Sequence, residues 1–317
     1  MSWTEEELCA QIATMDAARK SYLLVGDSAE NILKATGIVR DEDRLLEGED
    51  AQRASQDFGS VVADAGMTFV TYKAIDTTVA VDDIRVQPLR EIGARAKVYP
   101  TLVIAVDISE TTPVGCMPLK MGAQIVYYLI PHVMQDNKPL WAVSLMFSKA
   151  RKHAVSLSNE SFSAFDAALN ACSSAQEPLH EETLEAVGAV LSSLERDVIV
   201  RNDNANSLAQ YLRCHPSVER AVYPSLPQHP DKAMAASVLM HGFGSTIKLI
   251  LKPGFVDAAH VVEVFAQAAL NSDVPIDTTC TRAAANNDLV VVLKVGSTDP
   301  SAVMKCLEQA LYCKELI

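Results

Sequence analysis

Asp107 closes the apolar run TLVIAVD (101–107), and a carboxylate at the carboxyl end of a buried strand stands where open α/β sheets place their ligands. There it could be the charge partner of a buried cation, or it could cap the turn that follows the strand. The run Gly26-Asp27-Ser28 joins the strand-like SYLLV to a helical stretch, and the free N–H groups of a helix N-terminus beside a serine can bind an anion. Asp27 and Glu30 would occupy those donors and repel a phosphate, which favours a plain helix with Asp27 as N-cap. The stretch GAQIVYYLIPHVMQDNKPLWAV (122–143) reads as two apolar strands around a polar turn that carries Pro131 and His132.

Other chemistries are not written in the chain. There is no G-x-x-x-x-G-K-[ST], no G-x-G-x-x-G after a strand and no G-x-S-x-G elbow. Gly242-x-Gly244 opens onto a strand and reads as a bend. The seven cysteines are scattered, odd in number and free of any C-x-x-C pair, so no zinc site is expected and the compartment is expected to be reducing, intracellular and cytoplasmic. The seven histidines lack metal spacing, and His215 and His229, each before a proline, read as turn or surface residues. A net charge of −13 disfavours nucleic acid and anionic membranes. No apolar run is long enough to span a bilayer, and the acidic start is unlike a signal or transit peptide.

The elements that must position these residues alternate. Thr4-Glu5-Glu6-Glu7 is a capping box followed by Leu8, Ile12 and Met15 at helical spacing. GMTFVTYK (66–73), TLVIAVD, AQIVYYLI and LWAVSLMF (140–147) read as strands, with a short helix from Pro118 to a glycine C-cap at Gly122. DEDRLLEGED (41–50) carries six acids and one arginine, the mark of a solvated turn. Strands interleaved with helices imply a mostly parallel α/β sheet. Helical periodicity then runs from Glu181 to about Arg213, with a break expected at RNDNAN (201–206), whose three asparagines resist helix. Beyond it, strands and helices alternate in a compact α+β domain that ends with a helix opened by Asp299-Pro300.

From Asp107 to Val143 the chain resembles, without a gap, the Cys/Met-metabolism family of pyridoxal-phosphate enzymes: cystathionine γ-synthases, cystathionine lyases and methionine γ-lyases. VDISETTPVGCMPLKMGAQIV looks like that family's V-D-N-T-F-x-x-P-x-x-x-P-L-x-x-G-A-D-I-V, with Asp107, Pro113, Pro118, Leu119, Gly122 and Ala123 in place. Residues 191–230, MHGFGSTIKLIL and VGSTDPSAVMKCLEQAL extend the likeness to the small domain. The resemblance implies a fold-type-I transferase architecture. Its expected parts are a large, mostly parallel domain over 1–195, truncated at its N-terminus, and a small α+β domain over 196–317. It also puts Asp107 where the family's aspartate pairs with the pyridinium nitrogen of the cofactor.

The same register sets departures beside the matches. The Schiff-base lysine falls on His132, the phosphate-binding serine on Leu129 and the threonine on Pro131, while Lys138 lies six residues further on. An imidazole cannot form the stable linkage that a primary amine forms with an aldehyde. The phosphate turn becomes Gly26-Asp27-Ser28, the ring-stacking tyrosine falls near Gln52, and the substrate-carboxylate arginine falls on Val292. The loop with the family's E-x-P-x-N-P is expected to be deleted between Lys73 and Arg90.

These departures imply a pseudoenzyme with no cofactor, in which Asp107, Gly26 and Ser28 are vestiges. It would serve as a structural or regulatory subunit, either as a homodimer or as a hetero-oligomer with a protein partner such as an active paralogue. The alternatives are an enzyme that holds pyridoxal or pyridoxamine phosphate noncovalently, with His132 as base, and a pyridoxal-phosphate lyase or transferase of sulfur amino acids with a relocated lysine.

Overall fold

A computed structural model describes residues 3–27, 33–34, 37–62, 66–146, 159–254, 256–271, 276–283 and 289–311. The chain divides into two compact units, residues 1–74 with 88–195, and residues 75–87 with 196–317.

The first unit is built on a six-stranded sheet. Its strands are β1 (Lys20–Val25), β2 (Arg44–Leu46), β3 (Thr68–Lys73), β6 (Leu102–Asp107), β7 (Ile125–Gln135) and β8 (Lys138–Leu145), in the order β1-β8-β7-β6-β3-β2. The neighbours β7/β6, β6/β3 and β3/β2 run parallel, while β1/β8 and β8/β7 run antiparallel. All of β6 except Asp107 is buried, as its unbroken apolar run requires of a central parallel strand.

The helices of this unit are α1 (Glu5–Asp16), α2 (Gly48–Ala54), α3 (Leu89–Ala96), the single turn α4 (Thr112–Gly115), α5 (Asn159–Ala175) and the first part of α6 (Glu181–Leu212). The Thr4–Glu7 capping box forms at α1 and directs Leu8 and Ile12 into the core. On one face of the sheet Phe69, Val103, Tyr127 and Trp141 pack with Phe162 and Phe165 of α5.

The sequence misleads at DEDRLLEGED. Arg44–Leu46 pairs in parallel with β3 and buries Leu46, and Gly48–Ala54 is helical. Two leucines inside an acidic run suffice for a short edge strand because the flanking acids find partners on the β3 segment: Asp43 Oδ1 accepts the Met67 N–H at 2.7 Å and Glu47 Oε1 accepts the Thr71 hydroxyl at 3.2 Å.

The second unit is a four-stranded antiparallel sheet in the order β11-β12-β10-β9, from β9 (Val218–Val222), β10 (Thr246–Leu251), β11 (Thr279–Arg282) and β12 (Val290–Lys294). The end of α6, α7 (Lys232–Val238), α8 (Ala258–Asn271) and α9 (Pro300–Leu311) complete it, and Leu208, Ile247, Leu249, Phe265, Leu293 and Leu307 form its core. Residues 75–87 add a hairpin of β4 (Ile75–Ala80) and β5 (Asp83–Val86), so the stretch between Lys73 and Arg90 is folded into strands.

Helix α6 runs unbroken through RNDNAN. The asparagines remain helical because their side chains find tertiary partners that compensate for poor helix propensity. Asn202 Nδ2 donates to His241 O at 2.7 Å, and Asn204 Nδ2 donates to Gly296 O at 3.1 Å and Thr298 O at 3.0 Å. Asn206 Oδ1 accepts from the Ser225 hydroxyl at 2.6 Å.

Candidate functional site

Strands β1, β7, β6 and β3 run in one direction, so their carboxyl ends share one edge of the sheet. That edge holds Asp107, Gly26 and Lys73, where an open α/β sheet receives ligands. Asp107 Oδ1 accepts the Ser109 N–H at 2.8 Å, and the Ser109 hydroxyl accepts the Leu129 N–H at 3.1 Å. One oxygen of the carboxylate is thereby tied to the turn that leaves β6. Burial pushes its carboxyl above the usual range and outweighs the opposing hydrogen bonds from Ser109 and the charge of Lys73, its register partner on β3. The Ser109 bond is the one a turn cap requires.

Three residues beyond Ser109, Thr112 sits at φ 55 with its buried hydroxyl lacking a partner among the described residues. A β-branched residue in the left-handed region is strained, and such strain concentrates at functional edges.

Gly26 follows β1 and is held from both sides: its N–H donates to Pro139 O at 3.1 Å, and its carbonyl accepts from Trp141 Nε1 at 3.0 Å. Ser28 and Glu30 lie outside the described residues, as does the start of the helix expected there.

His132 is not in the turn. Strand β7 continues to Gln135, and the turn is Asp136-Asn137, both at positive φ (51° and 62°), which matches the twist of a two-residue hairpin. His132 lies instead on a bulge. Leu129 pairs with Trp141 and Met134 with Pro139, so five steps along β7 face two along β8, and His132 takes φ 61 with its side chain exposed. Pro131, which cannot donate to a ladder, is accommodated at the same irregularity. Lys138 pairs with Gln135 beside the turn and is exposed.

Gln52 is half-buried on α2. Val292 is half-buried in the middle of β12, opposite Lys248 and Thr281, in the second unit. The structure thus joins Asp107, Ser109 and Leu129 in one hydrogen-bonded cluster and leaves His132 and Lys138 on the hairpin that extends β7 and β8 past the sheet edge. Ser109 and Lys73 were not singled out from sequence, because parallel register between strands 34 residues apart leaves no local signal. Among the described residues no group of three His, Cys, Asp or Glu side chains could hold a metal ion, and no helix is long and apolar enough to cross a membrane.

Residues 191–274 match the model of the Cys/Met metabolism PLP-dependent enzyme family. The chain is 26% identical over 172 residues to a cystathionine gamma-synthase of Mycobacterium leprae, covering 54% of this chain and 40% of that protein. It is 46% identical over 57 residues to a probable cystathionine gamma-synthase of Herpetosiphon aurantiacus, 17% of this chain and 18% of that one. The matches therefore span well under half the length of these relatives. The apo crystal structure of a methionine gamma lyase from Micromonospora echinospora superposes with a TM-score of 0.73 at 16% identity, over 97% of this chain and 86% of that one. The fold is that of the fold-type-I lyases, a mixed α/β architecture on a mostly parallel large sheet, and the sequence matches support kinship with the Cys/Met-metabolism enzymes.

Proposed function

We propose that this chain is a non-catalytic relative of the Cys/Met-metabolism enzymes that acts as a structural or regulatory subunit, as a homodimer or with a protein partner such as an active paralogue. The observation that carries this reading is the placement of His132, the residue at the family's lysine position: it is an exposed imidazole in a left-handed bulge. The residues present do not fit pyridoxal phosphate. The Leu129 N–H, at the family's phosphate-binding serine position, is already donated to Ser109, and one oxygen of the Asp107 carboxylate is already engaged by the Ser109 N–H. Each missing charge-assisted phosphate contact removes roughly 1.5–3 kcal/mol of affinity.

The test is to incubate the purified protein with pyridoxal phosphate, reduce with borohydride and map any adduct by mass spectrometry. No modified site beyond scattered surface labelling is expected. Stoichiometric labelling of one lysine, Lys138 or Lys73 included, would overturn the reading. Native-state mass spectrometry of protein taken from its own cells then distinguishes the self-associated form from a complex. The second reading, a cofactor held noncovalently with His132 as base, draws on the exposure of that imidazole. It requires saturable binding of pyridoxamine phosphate that His132→Ala abolishes.

A further inference from the structure

Lys248 is a lysine in the second unit that is only 3% exposed and has no carboxylate within hydrogen-bonding distance among the described residues. Its ammonium donates to the carbonyls of Ala80 at 2.6 Å and Asp83 at 2.7 Å, the two residues flanking the turn of the β4–β5 hairpin. Arg220 on the neighbouring strand donates to the Asp82 carboxylate at 2.7 Å and the Asp82 carbonyl at 3.3 Å, at the same turn. Arg220 pairs with Ile250 and Lys248 with Val222, so both cations project from one face of the sheet. The opposite face, with Ile247, Leu249 and Leu293, is buried in the core.

The hairpin is anchored unevenly. At its base Ile75 and Val86 are buried, and the Val86 N–H donates to Asp231 Oδ2 at 3.0 Å; Ile84, next to the turn, is buried as well. Ile75 also packs on Gly244, where a Cβ would come within 2.8 Å of its Cδ1. Between base and tip the ladder is irregular: the register shifts between Asp76 and Ala80, beyond which Ala80 pairs with Asp83 and the turn residues are held by the two cations. Asp83, whose carboxylate is paired with Arg85 at 2.7 Å, acts on the Lys248 charge together with Asp76 and Asp82 without a direct hydrogen bond to it. The direct hydrogen bonds of the buried ammonium go to neutral carbonyls, and a carboxylate in their place would make charge-assisted bonds roughly twice as strong. The Arg220–Asp82 pair is about half exposed on both sides, so it is screened and easily exchanged.

We propose that the hairpin tip, residues 77–83, is a hinged acidic flap seated on a two-cation site formed by Lys248 and Arg220, and that a small dicarboxylate competes with the flap for those cations. The register break supplies the hinge and the apolar base keeps the flap tethered. A two-stranded ladder with a fault in it has little stability of its own, so the tip stays down only while the cations hold it.

Hydrogen exchange of the full chain, read by mass spectrometry with and without succinate, tests this. Succinate should accelerate exchange of residues 77–83 saturably, on the order of ten-fold, while β10 keeps its rates. Sodium chloride at matched ionic strength should do less. Asp82→Asn, which weakens the seated flap without touching the sheet, should lower the succinate concentration needed by about three-fold, and Lys248→Met should abolish the effect. The inference is overturned if the tip exchanges only in step with β10, if chloride matches succinate, or if Asp82→Asn leaves the succinate response unchanged.

Discussion

Asp16, the last residue of α1, accepts a hydrogen bond from the Ser144 hydroxyl of β8, and both side chains are buried. The Ser144 oxygen lies 2.6 Å from that of Ser21 on β1, so the contact ties the first helix to two adjacent strands. The second carboxyl oxygen of Asp16 and the hydroxyl of the fully buried Tyr128 have no partner among the described residues. Burial pushes the Asp16 carboxyl up from 3.8 to about 7, against the Ser144 hydrogen bond. A carboxyl whose folded value is raised favours the fold while it is neutral. Its destabilising charge is absent below pH 4, grows as pH rises, and is fully expressed above about 7.

The wild-type protein should accordingly lose up to about 4 kcal/mol of stability between pH 4 and 8 through this group. Asp16→Asn, which keeps the shape and cannot ionise, should remove that slope and be the more stable protein at pH 8. Urea titrations of both proteins across the range measure it; parallel pH profiles would refute the assignment.

Gly93 of α3 meets the turn at Pro118–Met121 so closely that a Cβ would lie 2.1 Å from Met121 O and 3.0 Å from Gly122 Cα. Both clashing atoms are backbone and cannot swing aside. Gly93→Ala should therefore destabilise by about 2–3 kcal/mol, although alanine is the better helix former. A denaturation midpoint at or above the wild-type value would show that helix and turn can separate freely.

Gly122 and Gly93 mark the limit of what the sequence discloses. Gly122 was legible as a C-cap after Pro118, and it adopts φ 111 as that role needs, because the signal lies within five residues. The reason for Gly93 lies 28 residues away and has no local signature. The same division holds elsewhere. The apolar run of β6 announced a buried strand ending at Asp107, and its fold class followed. The asparagines of α6 read as a break because their partners, His241, Gly296 and Thr298, are remote. The site was legible in part: Asp107 could be placed on a strand end, but the Ser109 bridge to Leu129 depends on how β6 and β7 align. The strand and bulge at His132 were read as a turn, since the true turn, Asp136-Asn137, lies just beyond a proline that suggests an earlier stop.

Asp277 gathers the loop before α9. Its carboxylate accepts the N–H groups of Ser297 at 2.6 Å and Thr298 at 2.9 Å, together with both hydroxyls. Burial raises its carboxyl, but the hydrogen bonds from Thr298 and Ser297 prevail and hold it below the usual range. The stability it supplies is present above its ordinary value of 3.8 and is lost as pH falls through the depressed folded value. Asp277→Asn should weaken the loop at neutral pH and leave little difference between the two proteins in strong acid. Amide exchange of residues 296–299 at pH 7 reports this directly, and unchanged protection there would contradict it.

His132 occupies a left-handed backbone position with its side chain in solvent, so what it contributes to stability is set by its backbone. Histidine tolerates that region better than most residues, glycine tolerates it freely, and β-branched residues do not. His132→Gly should thus be neutral or stabilise by up to about 1 kcal/mol, the eased native strain being offset in part by added freedom in the unfolded chain. His132→Val should cost about 1–3 kcal/mol. A residue retained for chemistry would show the same stabilities and, in addition, a lost activity. Stability and pyridoxamine phosphate binding measured together on the two variants separate these cases. If the bulge is a fixed part of the hairpin, the ordering glycine, histidine, valine holds in the thermal midpoints whether or not cofactor is present. An inverted order would mean that β7 does not carry this bulge in solution.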